Sequence, residues 1–213
     1  MRLVIVGGGG CGREVLDVVD AINAVERSYD VLGVLDDGTP DANLLASFGV
    51  RHLGPTARLA ELDADVAYVL GIGAPSARRR ISHLAGDRSS PTLVHPSVVA
   101  GRRRVQLGRG TVVCAHTSIQ SNVTIGDHVH INQNCTVGHD ARIDDHCVVS
   151  PLVAISGHVS LGEQAFVGAG AVLNPGVSLG ARSTVGSGAA VIADVAADTT
   201  VVGVPARPVV RRG

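Results

Sequence analysis

One periodicity constrains the fold of this chain more than any other feature: from residue 107 to residue 191, every sixth residue is Leu, Ile or Val. An α-helix repeats near 3.6 residues and a β-strand every two, so a period of six fits neither. It is typical of a chain that forms a short strand, turns a corner and repeats, with the aliphatic side chain pointing inward. Three such strands close one coil of a parallel β-helix, so residues 18 apart should stack along its axis. The fifteen positions are Leu107, Val113, Ile119, Ile125, Ile131, Val137, Ile143, Val149, Ile155, Leu161, Val167, Leu173, Leu179, Val185 and Val191.

Two further positions of the repeat support this interpretation. The residue four places after the aliphatic is small or β-branched, as at Cys135 and Cys147, and fits where two strands converge. These cysteines are predicted to fill the core, since the chain has no CxxC pair. The residue directly after the aliphatic is often glycine, as at Gly126 and Gly138, and we expect it to adopt the backbone angles of a tight corner.

The N-terminus has a different pattern. An aliphatic strand at residues 1–6 runs into a glycine loop, residues 7–12, and the apolar residues of 13–22 recur at helical spacing. Strand, glycine loop and helix begin a nucleotide-binding βαβ unit, in which main-chain N–H groups and the helix N-terminus face a phosphate. The alternative is a tight turn that binds no ligand.

A second strand, residues 30–35, ends in Asp36 and Asp37. In a dinucleotide-binding fold an acid at this place binds the ribose hydroxyls, which would favour NAD. The segment of about 90 residues is too short for both mononucleotide halves, and no hydride-transfer site follows it. The sequence therefore favours a mononucleotide or a nucleotide-linked substrate, with a solvated turn that carries two acids as the alternative.

Further elements complete the first domain. Strands are expected at residues 50–53 and 65–70, and a helix at 74–85, with Arg78, Arg79 and Arg80 on or near its exposed side. The polar, Pro-containing residues 87–91 are the predicted linker.

We therefore predict an α/β Rossmann-like βαβ domain over residues 1–90. A parallel β-helix with a C-terminal cap is expected over residues 91–213. The repeat begins near Leu93, slips by one residue around 102–104 and settles at Leu107.

Composition excludes several classes of partner. The net charge is −1, so no bulk field favours nucleic acid or an anionic membrane. Trp is absent and there are only two Phe and two Tyr, which argues against stacking platforms for single-stranded nucleic acid. No cationic-then-apolar leader and no apolar run of about 18 residues is present, so we expect a cytoplasmic protein.

Six histidines lie in or beside the coils between residues 113 and 160, which raises the question of a metal site. His128 and His146 are 18 residues apart and should stack. Carbonic anhydrases built from hexapeptide repeats use a His pair five residues apart and a third His two coils away. No two of these histidines have that spacing, so we predict no metal.

His139 has neighbours that suit catalysis. It is followed by Asp140, and Asn132 precedes it by seven residues. A carboxylate that accepts a hydrogen bond from one imidazole nitrogen fixes the tautomer and leaves the other nitrogen as a proton acceptor. Adjacent residues of a strand point to opposite faces, but at a corner both can face outward. The alternative is an exposed corner histidine without a role.

Six motifs spread over the whole chain together resemble the sugar O/N-acyltransferase family. This family includes nucleotide-amino-sugar N-acetyltransferases and sialic acid O-acetyltransferases. The motifs are IVGGGGCGREV at residues 5–15, LDD at 35–37, GIG at 71–73, HPS at 95–97, GHD at 138–140 and GVPAR at 203–207.

The resemblance implies that the coils wind left-handed, forming a left-handed parallel β-helix, and that three copies form a homotrimer with the site in the cleft between neighbours. It implies that His139 is the catalytic base, that Asp140 is its partner, and that Asn132 lies in the same site. Many relatives carry a second His nine residues after the base that contacts acetyl-CoA. Here that position is Val148, and His146 is not a substitute because the period points it elsewhere.

The resemblance also assigns the binding residues. The glycine loop would bind the diphosphate of a sugar nucleotide, the two acids would contact its nucleoside, and the coil residues would bind acetyl-CoA, with the pantetheine arm running toward the cap. The substrate residues are Gly8, Gly9, Gly10, Cys11, Gly12, Arg13, Asp36, Asp37, Gly71, Gly73 and Asn132. The acetyl-CoA residues are Gly157, Ala169, Gly170, Val202 and Pro205.

The expected activity is acetyl transfer from acetyl-CoA to the amine of a UDP- or other NDP-linked 4-amino-deoxy sugar, for surface glycan biosynthesis. A main-chain N–H of a glycine-rich coil would stabilise the oxyanion. Alternatives are O-acetylation of sialic acid or a related sugar, a longer acyl donor, and a trimeric scaffold or nucleotide-binding module without catalysis.

Overall fold

The first 85 residues form an α/β unit with a four-stranded sheet. The computed structural model describes residues 1–209. Its elements here are β1 (Arg2–Val6), α1 (Gly10–Val25), β2 (Asp30–Leu35), α2 (Ala42–Ser47), β3 (His52–Gly54), a 3-10 helix (Thr56–Glu61), β4 (Ala67–Leu70) and α3 (Pro75–Ala85). The sheet order is β3-β2-β1-β4 and every pair is parallel, which confirms the Rossmann-like prediction.

Close packing explains the glycines that join β1 to α1. A Cβ atom at Gly12 would overlap the main-chain oxygen of Gly7, and one at Gly71 would lie 2.5 Å from the Cα of Gly12. The first turn of α1 can therefore approach the ends of β1 and β4 only because these residues lack side chains. This approach places the helix N-terminus over the carboxyl edge of the sheet.

The remaining strands are short and stack in parallel coils. They are β5 (Leu93–Val94), β6 (Val99–Ala100), β7 (Val105–Leu107), β8 (Val112–Val113), β9 (Ser118–Ile119), β10 (Val123–Ile125), β11 (His130–Ile131), β12 (Thr136–Val137), β13 (Arg142–Ile143), β14 (Val148–Val149), β15 (Ala154–Ile155), β16 (Ser160–Leu161), β17 (Phe166–Val167), β18 (Val172–Leu173), β19 (Ser178–Leu179), β20 (Thr184–Val185), β21 (Ala190–Val191), β22 (Thr200–Val202) and β23 (Arg207–Pro208).

These strands form the three faces of a left-handed parallel β-helix. Face 1 contains β5, β8, β11, β14, β17, β20 and β22, with β23 added antiparallel at its end. Face 2 contains β6, β9, β12, β15, β18 and β21, and face 3 contains β7, β10, β13, β16 and β19. We name the turn from face 1 to face 2 the first corner, from face 2 to face 3 the second, and from face 3 to face 1 the third. The inward aliphatic residues fill the core between the faces.

The stacking interval is 18 residues in the body of the helix, as Thr124 pairs with Arg142. Before the three arginines at 102–104 it is 19, because Val94 pairs with Val113. The predicted one-residue slip is therefore present. Near the C-terminus the interval shortens to 16, where Val185 pairs with Val201.

The corners correct our explanation of the glycines. The residue with positive φ lies three places after the inward aliphatic and is usually not glycine, as at Asn122, Asp140 and His158, whose φ values are 58°, 60° and 59°. The glycine directly after the aliphatic is needed for close approach of coils, since a Cβ at Gly138 would lie 2.5 Å from the nitrogen of Gly157.

Arg78 joins the α/β unit to the coils, which corrects the expectation that it is exposed. Its side chain is fully buried. Nε donates to the main-chain oxygen of His128 at 2.8 Å, and Nη1 donates to those of Leu70 and Ile72 at 3.0 and 2.8 Å. Burial lowers the pKa of Arg78 to about 10, so it stays charged at neutral pH. Arg79 and Arg80 are exposed, as predicted.

The same junction contains the predicted histidine stack. The rings of His128 and His146 lie 5.7 Å apart and within 12° of parallel, and Tyr68 stacks on the other side of His128. Ser82 of α3 contacts Nε2 of His146 at 2.8 Å.

The division into domains at residue 90 stays a prediction, and residues 210–213, where the predicted second domain ends, lie outside the described residues. Within residues 1–209, no helix has the length and apolar character needed to cross a membrane.

Candidate active site

His139 and Asp140 form a hydrogen-bonded pair at the second corner. Nδ1 of His139 lies 2.7 Å from Oδ2 of Asp140. The pairing is possible for adjacent residues because Asp140 has a φ of 60°, which turns its side chain to the outer side of the corner. The main-chain N–H of His139 donates to Oε1 of Gln120 at 3.0 Å, which holds the corner against the preceding coil. About half of the His139 side chain is exposed.

Two residues that stack on Asp140 complete this group. Asn122, 18 residues earlier, donates its amide N–H to Oδ1. His158, 18 residues later, places Nε2 3.6 Å from Oδ2, and its ring meets that of His139 edge to face with centroids 5.1 Å apart. Sequence reasoning gave neither residue a role. The 18-residue interval could have identified them, because it stacks both Asn122 and His158 on Asp140.

The electrostatics fix the tautomer of His139. Hydrogen bonds from Asn122 and then from His139 lower the pKa of Asp140, and the nearby His158 acts in the same direction. An ionised carboxylate can only accept hydrogen bonds, so the proton lies on Nδ1 of His139. Nε2 keeps its lone pair, and the pair can therefore act as a general base.

Gly157 lies directly against the imidazole. A Cβ at this position would be 2.7 Å from Cε1 and Nε2 of His139, so the ring occupies the space that any other residue would fill. The main-chain N–H of Gly157 makes no hydrogen bond to another described residue. It is therefore available to an oxygen atom bound beside Nε2.

Asn132 lies elsewhere in the same chain. It follows β11 at the first corner, whereas His139 follows β12 at the second. Its side chain is largely buried, and Nδ2 donates to Oε2 of Glu14 in α1 at 3.2 Å. The single chain thus does not bring the predicted partners Asn132 and His139 together.

A cavity of about 280 Å³ opens beside Asn132, between α1 and the first corner. Its polar lining residues are Glu14, Asp17, His95, His116, Gln133 and Asn134. Nδ1 of His95 accepts a hydrogen bond from the main-chain N–H of Ser97 at 3.1 Å, so Nε2 of His95 carries the proton. The cavity therefore combines carboxylates with at least one ring donor.

The predicted phosphate loop has open space and free donors. Helix α1 begins at Gly10 without a capping side chain, and a Cβ at Gly9 would meet nothing within 4 Å. Gly10 and Gly9 are exposed, and Nη2 of Arg13 lies 4.0 Å from the Cβ position of Gly10. Burial raises the pKa of Cys11 to about 11, so its thiol is neutral. A helix N-terminus of this kind suits an anion.

Hydrogen bonds tie the two acids after β2 to neighbouring loops of the α/β unit. Asp36 accepts from the main-chain N–H of Gly8 at 2.6 Å and of Gly38 at 2.7 Å. Asp37 accepts from the N–H and hydroxyl of Thr56, and these bonds lower its pKa. The structure therefore brings Asp36 to the predicted phosphate loop.

The other predicted site residues fall into three places. Gly71 is buried against Gly12, which explains it by packing, whereas Gly73 is exposed with open space around it. Ala169 and Gly170 are exposed at the first corner, two coils beyond Asn134. Val202 and Pro205 are exposed in the C-terminal cap.

Among residues 1–209, two groups of side chains could hold a metal ion. Cys11, Glu14 and His130 form one, and His139, Asp140 and His158 form the other, each with ligand atoms within 4.8 Å of one another. The raised pKa of Cys11 disfavours the thiolate that binds metal, and Asp140 already accepts two hydrogen bonds. Each group offers three ligand atoms, one fewer than the four of a closed tetrahedral centre.

Known proteins are similar to this chain both in its N-terminal part and over nearly its whole length. A family model described as the PglD N-terminal domain matches residues 2–84. No curated protein gives a significant match.

Solved structures match over nearly the whole chain. PerB from Caulobacter crescentus, in complex with CoA and GDP-perosamine, is 33% identical with a TM-score of 0.86, over 99% of this chain and 98% of that one. A variant of perosamine N-acetyltransferase from the same organism, with one His replaced by Asn and the same ligands, is 32% identical with a TM-score of 0.89, over 99% and 97%. The acetyltransferase domain of PglB from Neisseria gonorrhoeae FA1090, in complex with acetyl coenzyme A, is 29% identical with a TM-score of 0.86, over 98% of both chains.

Proposed function

Because the chain belongs to the hexapeptide-repeat family of sugar N-acetyltransferases, we propose that it transfers the acetyl group of acetyl-CoA to the amine of a nucleotide-linked amino sugar. The observation that carries this function is the full-length similarity to structures holding CoA and GDP-perosamine. The His139–Asp140 pair gives the chain its own chemistry for the reaction.

His139 acts as the general base. The amine nitrogen attacks the thioester carbonyl, the C–N bond forms, and Nε2 of His139 takes the proton that the nitrogen loses. The C–S bond then breaks and the proton passes to the departing sulfur of CoA. Asp140 holds the ring, and the N–H of Gly157 donates to the oxyanion that forms between the two steps. We propose that the acetylated sugar nucleotide is used in surface glycan biosynthesis.

We propose that three copies complete the site, because the residues of one chain are divided between two corners. Face 2 lies between those corners and its outward side chains are uncharged. They are Val99, Ser118, Thr136, Ala154, Val172 and Ala190. If face 2 packs toward a threefold axis, the second corner of one copy meets the first corner of the next. His139 then faces Asn132 and the cavity beside α1 of a neighbouring copy, and Gly157 faces its Ala169 and Gly170.

The activity is tested by following release of free CoA thiol with acetyl-CoA and a panel of acceptors. UDP- and GDP-linked 4-amino-6-deoxy sugars should give turnover, and mass spectrometry should show an added acetyl group on the nitrogen. Turnover with sialic acid alone would instead indicate O-acetylation, and a preference for a longer acyl-CoA would change the donor. If no acceptor gives thiol release, the protein is a scaffold or binding module and not an acetyltransferase.

The assembly is tested by light scattering at micromolar concentration, where the mass should be three times that of one chain. Val172→Glu places a charge on face 2 and should reduce both the mass and the turnover. Thr124→Glu places the same charge on face 3 beside Arg142 and serves as the control, which should remain a trimer. A monomeric wild type would contradict the proposal.

A further inference from the structure

We propose that Glu14 recognises the acceptor by binding the ammonium form of its amine in the cavity between α1 and the first corner. This inference rests on the proposed function, since it assumes that a nucleotide-linked amino sugar is the acceptor. Glu14 was not among the residues predicted from the sequence to bind substrate.

The position of Glu14 fits the order of groups in such a substrate. It lies four residues after Gly10, so about 6 Å along α1 from the helix N-terminus that suits the diphosphate. The sugar is the next group along a sugar nucleotide. A diphosphate at the glycine loop therefore leaves the sugar ring within reach of the cavity that Glu14 lines.

The contacts of Glu14 prepare its carboxylate for a cation. Asn132 donates to Oε2 at 3.2 Å, which orients the group, while Oε1 accepts no hydrogen bond from any residue between 1 and 209. His130 lies 4.0 Å away, but burial lowers the pKa of His130 to about 3, so this ring is neutral and does not balance the charge. The side chain is partly exposed to the cavity.

The charge of the cavity favours an amine over a hydroxyl. Its lining contains two carboxylates, Glu14 and Asp17, and no Arg among the lining residues that the structure describes. A 4-amino sugar is protonated in water at neutral pH and forms a charge-assisted hydrogen bond with Glu14, which a 4-hydroxyl sugar does not. Glu14 acts in binding only, and the ammonium loses its first proton to water before His139 takes the second during attack.

The test compares a pair of ligands that differ only at the amine. Calorimetry measures the affinity of the full-length protein for GDP-perosamine and for its 4-hydroxyl counterpart GDP-rhamnose. A matched UDP-linked pair is titrated in the same way. The comparison then uses the nucleotide, GDP or UDP, whose amino sugar binds more tightly. Wild type should bind the amino sugar about tenfold or more tightly than the hydroxyl sugar.

Two variants assign this preference to one carboxylate. Glu14→Gln keeps the acceptor for Asn132 and removes the charge, so the preference should fall to within about threefold. Asp17→Asn removes the other carboxylate of the same cavity and should keep the preference for the amino sugar. Circular dichroism melting checks that both variants fold.

The outcomes separate this inference from the proposed function. Equal affinity of wild type for the two sugars, or a preference that survives in Glu14→Gln, overturns the role of Glu14 even if CoA release proceeds. A preference that depends on Glu14, without CoA release, overturns the transfer activity and leaves the recognition in place. If neither nucleotide series binds, both are wrong.

Discussion

Arg78 and His128 are joined by a hydrogen bond from the guanidinium Nε to the main-chain oxygen, 2.8 Å long and fully buried. It connects α3 to the third corner of the coils, 50 residues further along the chain. No carboxylate of the described chain pairs with Arg78, so the three main-chain oxygens that it contacts must balance its charge. Arg78 is thus a fully buried polar anchor of the α/β unit on the coils, beside the less buried contacts of Ser82 with His146 and of Glu14 with Asn132.

Replacing Arg78 by Met should lower the free energy of unfolding by about 3 kcal/mol, because two buried acceptors and one partly buried acceptor lose their donor at about 1 kcal/mol each. Urea unfolding followed by circular dichroism measures the change. Arg79→Met is the matched control. It removes an exposed ion pair with Glu163 and should change stability by less than about 1 kcal/mol. Equal effects of the two variants would show that Arg78 is not the anchor.

Replacing His139 by Ala should lower kcat by a factor of about 10²–10⁴, since the general base is lost. The melting temperature should stay that of wild type, because the side chain is half exposed. Steady-state kinetics and thermal melting measure the two effects. His83→Ala, another exposed histidine, is the control and should keep full activity. Turnover of His139→Ala within tenfold of wild type would refute the assignment of the base.

Replacing Gly157 by Ala should lower kcat by about tenfold to a hundredfold, because the new Cβ pushes the imidazole of His139 away from its bound position. Gly162→Ala crowds the backbone of the next coil at the third corner, with its Cβ 2.6 Å from the nitrogen of Ala181, so it reports the effect of crowding alone. It should lower the melting temperature but not kcat. The same loss of kcat in both variants would mean that general distortion, not His139, is responsible.

Acid should destabilise the protein through its buried histidines. Burial lowers the pKa of His128 from 6.5 to about 4 and of His130 from 6.5 to about 3. Above pH 6.5 both histidines are neutral in the folded and in the unfolded chain, so the free energy of unfolding does not depend on their protonation. Below it the unfolded chain takes up protons that the folded chain excludes, so stability falls by about 1.4 kcal/mol per pH unit for each histidine.

His130→Val tests this dependence with a side chain that already occurs at the stacked positions of face 1. Val112 and Val148 are the residues paired with His130 on face 1, so valine should fit there. The variant should match or exceed wild type at pH 7 and lose less stability between pH 6 and pH 4. Urea midpoints at the two pH values measure this, and an unchanged slope would count against the buried neutral histidine.

The fold could be predicted because fifteen consecutive positions, six residues apart, are all Leu, Ile or Val. Such a pattern fixes which residues point inward and which stack, so the slip near residue 103 was also visible as a shift of one position. The pairing of His139 with Asp140 was foreseen for the same reason, since a corner lets neighbours face the same way.

The burial of Arg78 could not be predicted in this way. A run of three arginines reads as a solvated surface, and only the approach of the third corner to β4 makes one of them an anchor. The prediction that the corner glycines adopt special backbone angles was wrong for a related reason. A sequence pattern does not reveal which atoms the adjacent coil brings close. Glu14 was missed because its partner Asn132 is 118 residues away in the sequence.

The 18-residue stacking interval in the body of the β-helix makes the column extensible. A tandem duplication of residues 162–179 would add one turn that stacks on a copy of itself with the same 18-residue interval, because each coil contacts only the adjacent coils. It would leave Asn122, Asp140 and His158 untouched and move Val202 about 4.8 Å further from them. The distance between the base and the cap can therefore be changed only in steps of one whole coil.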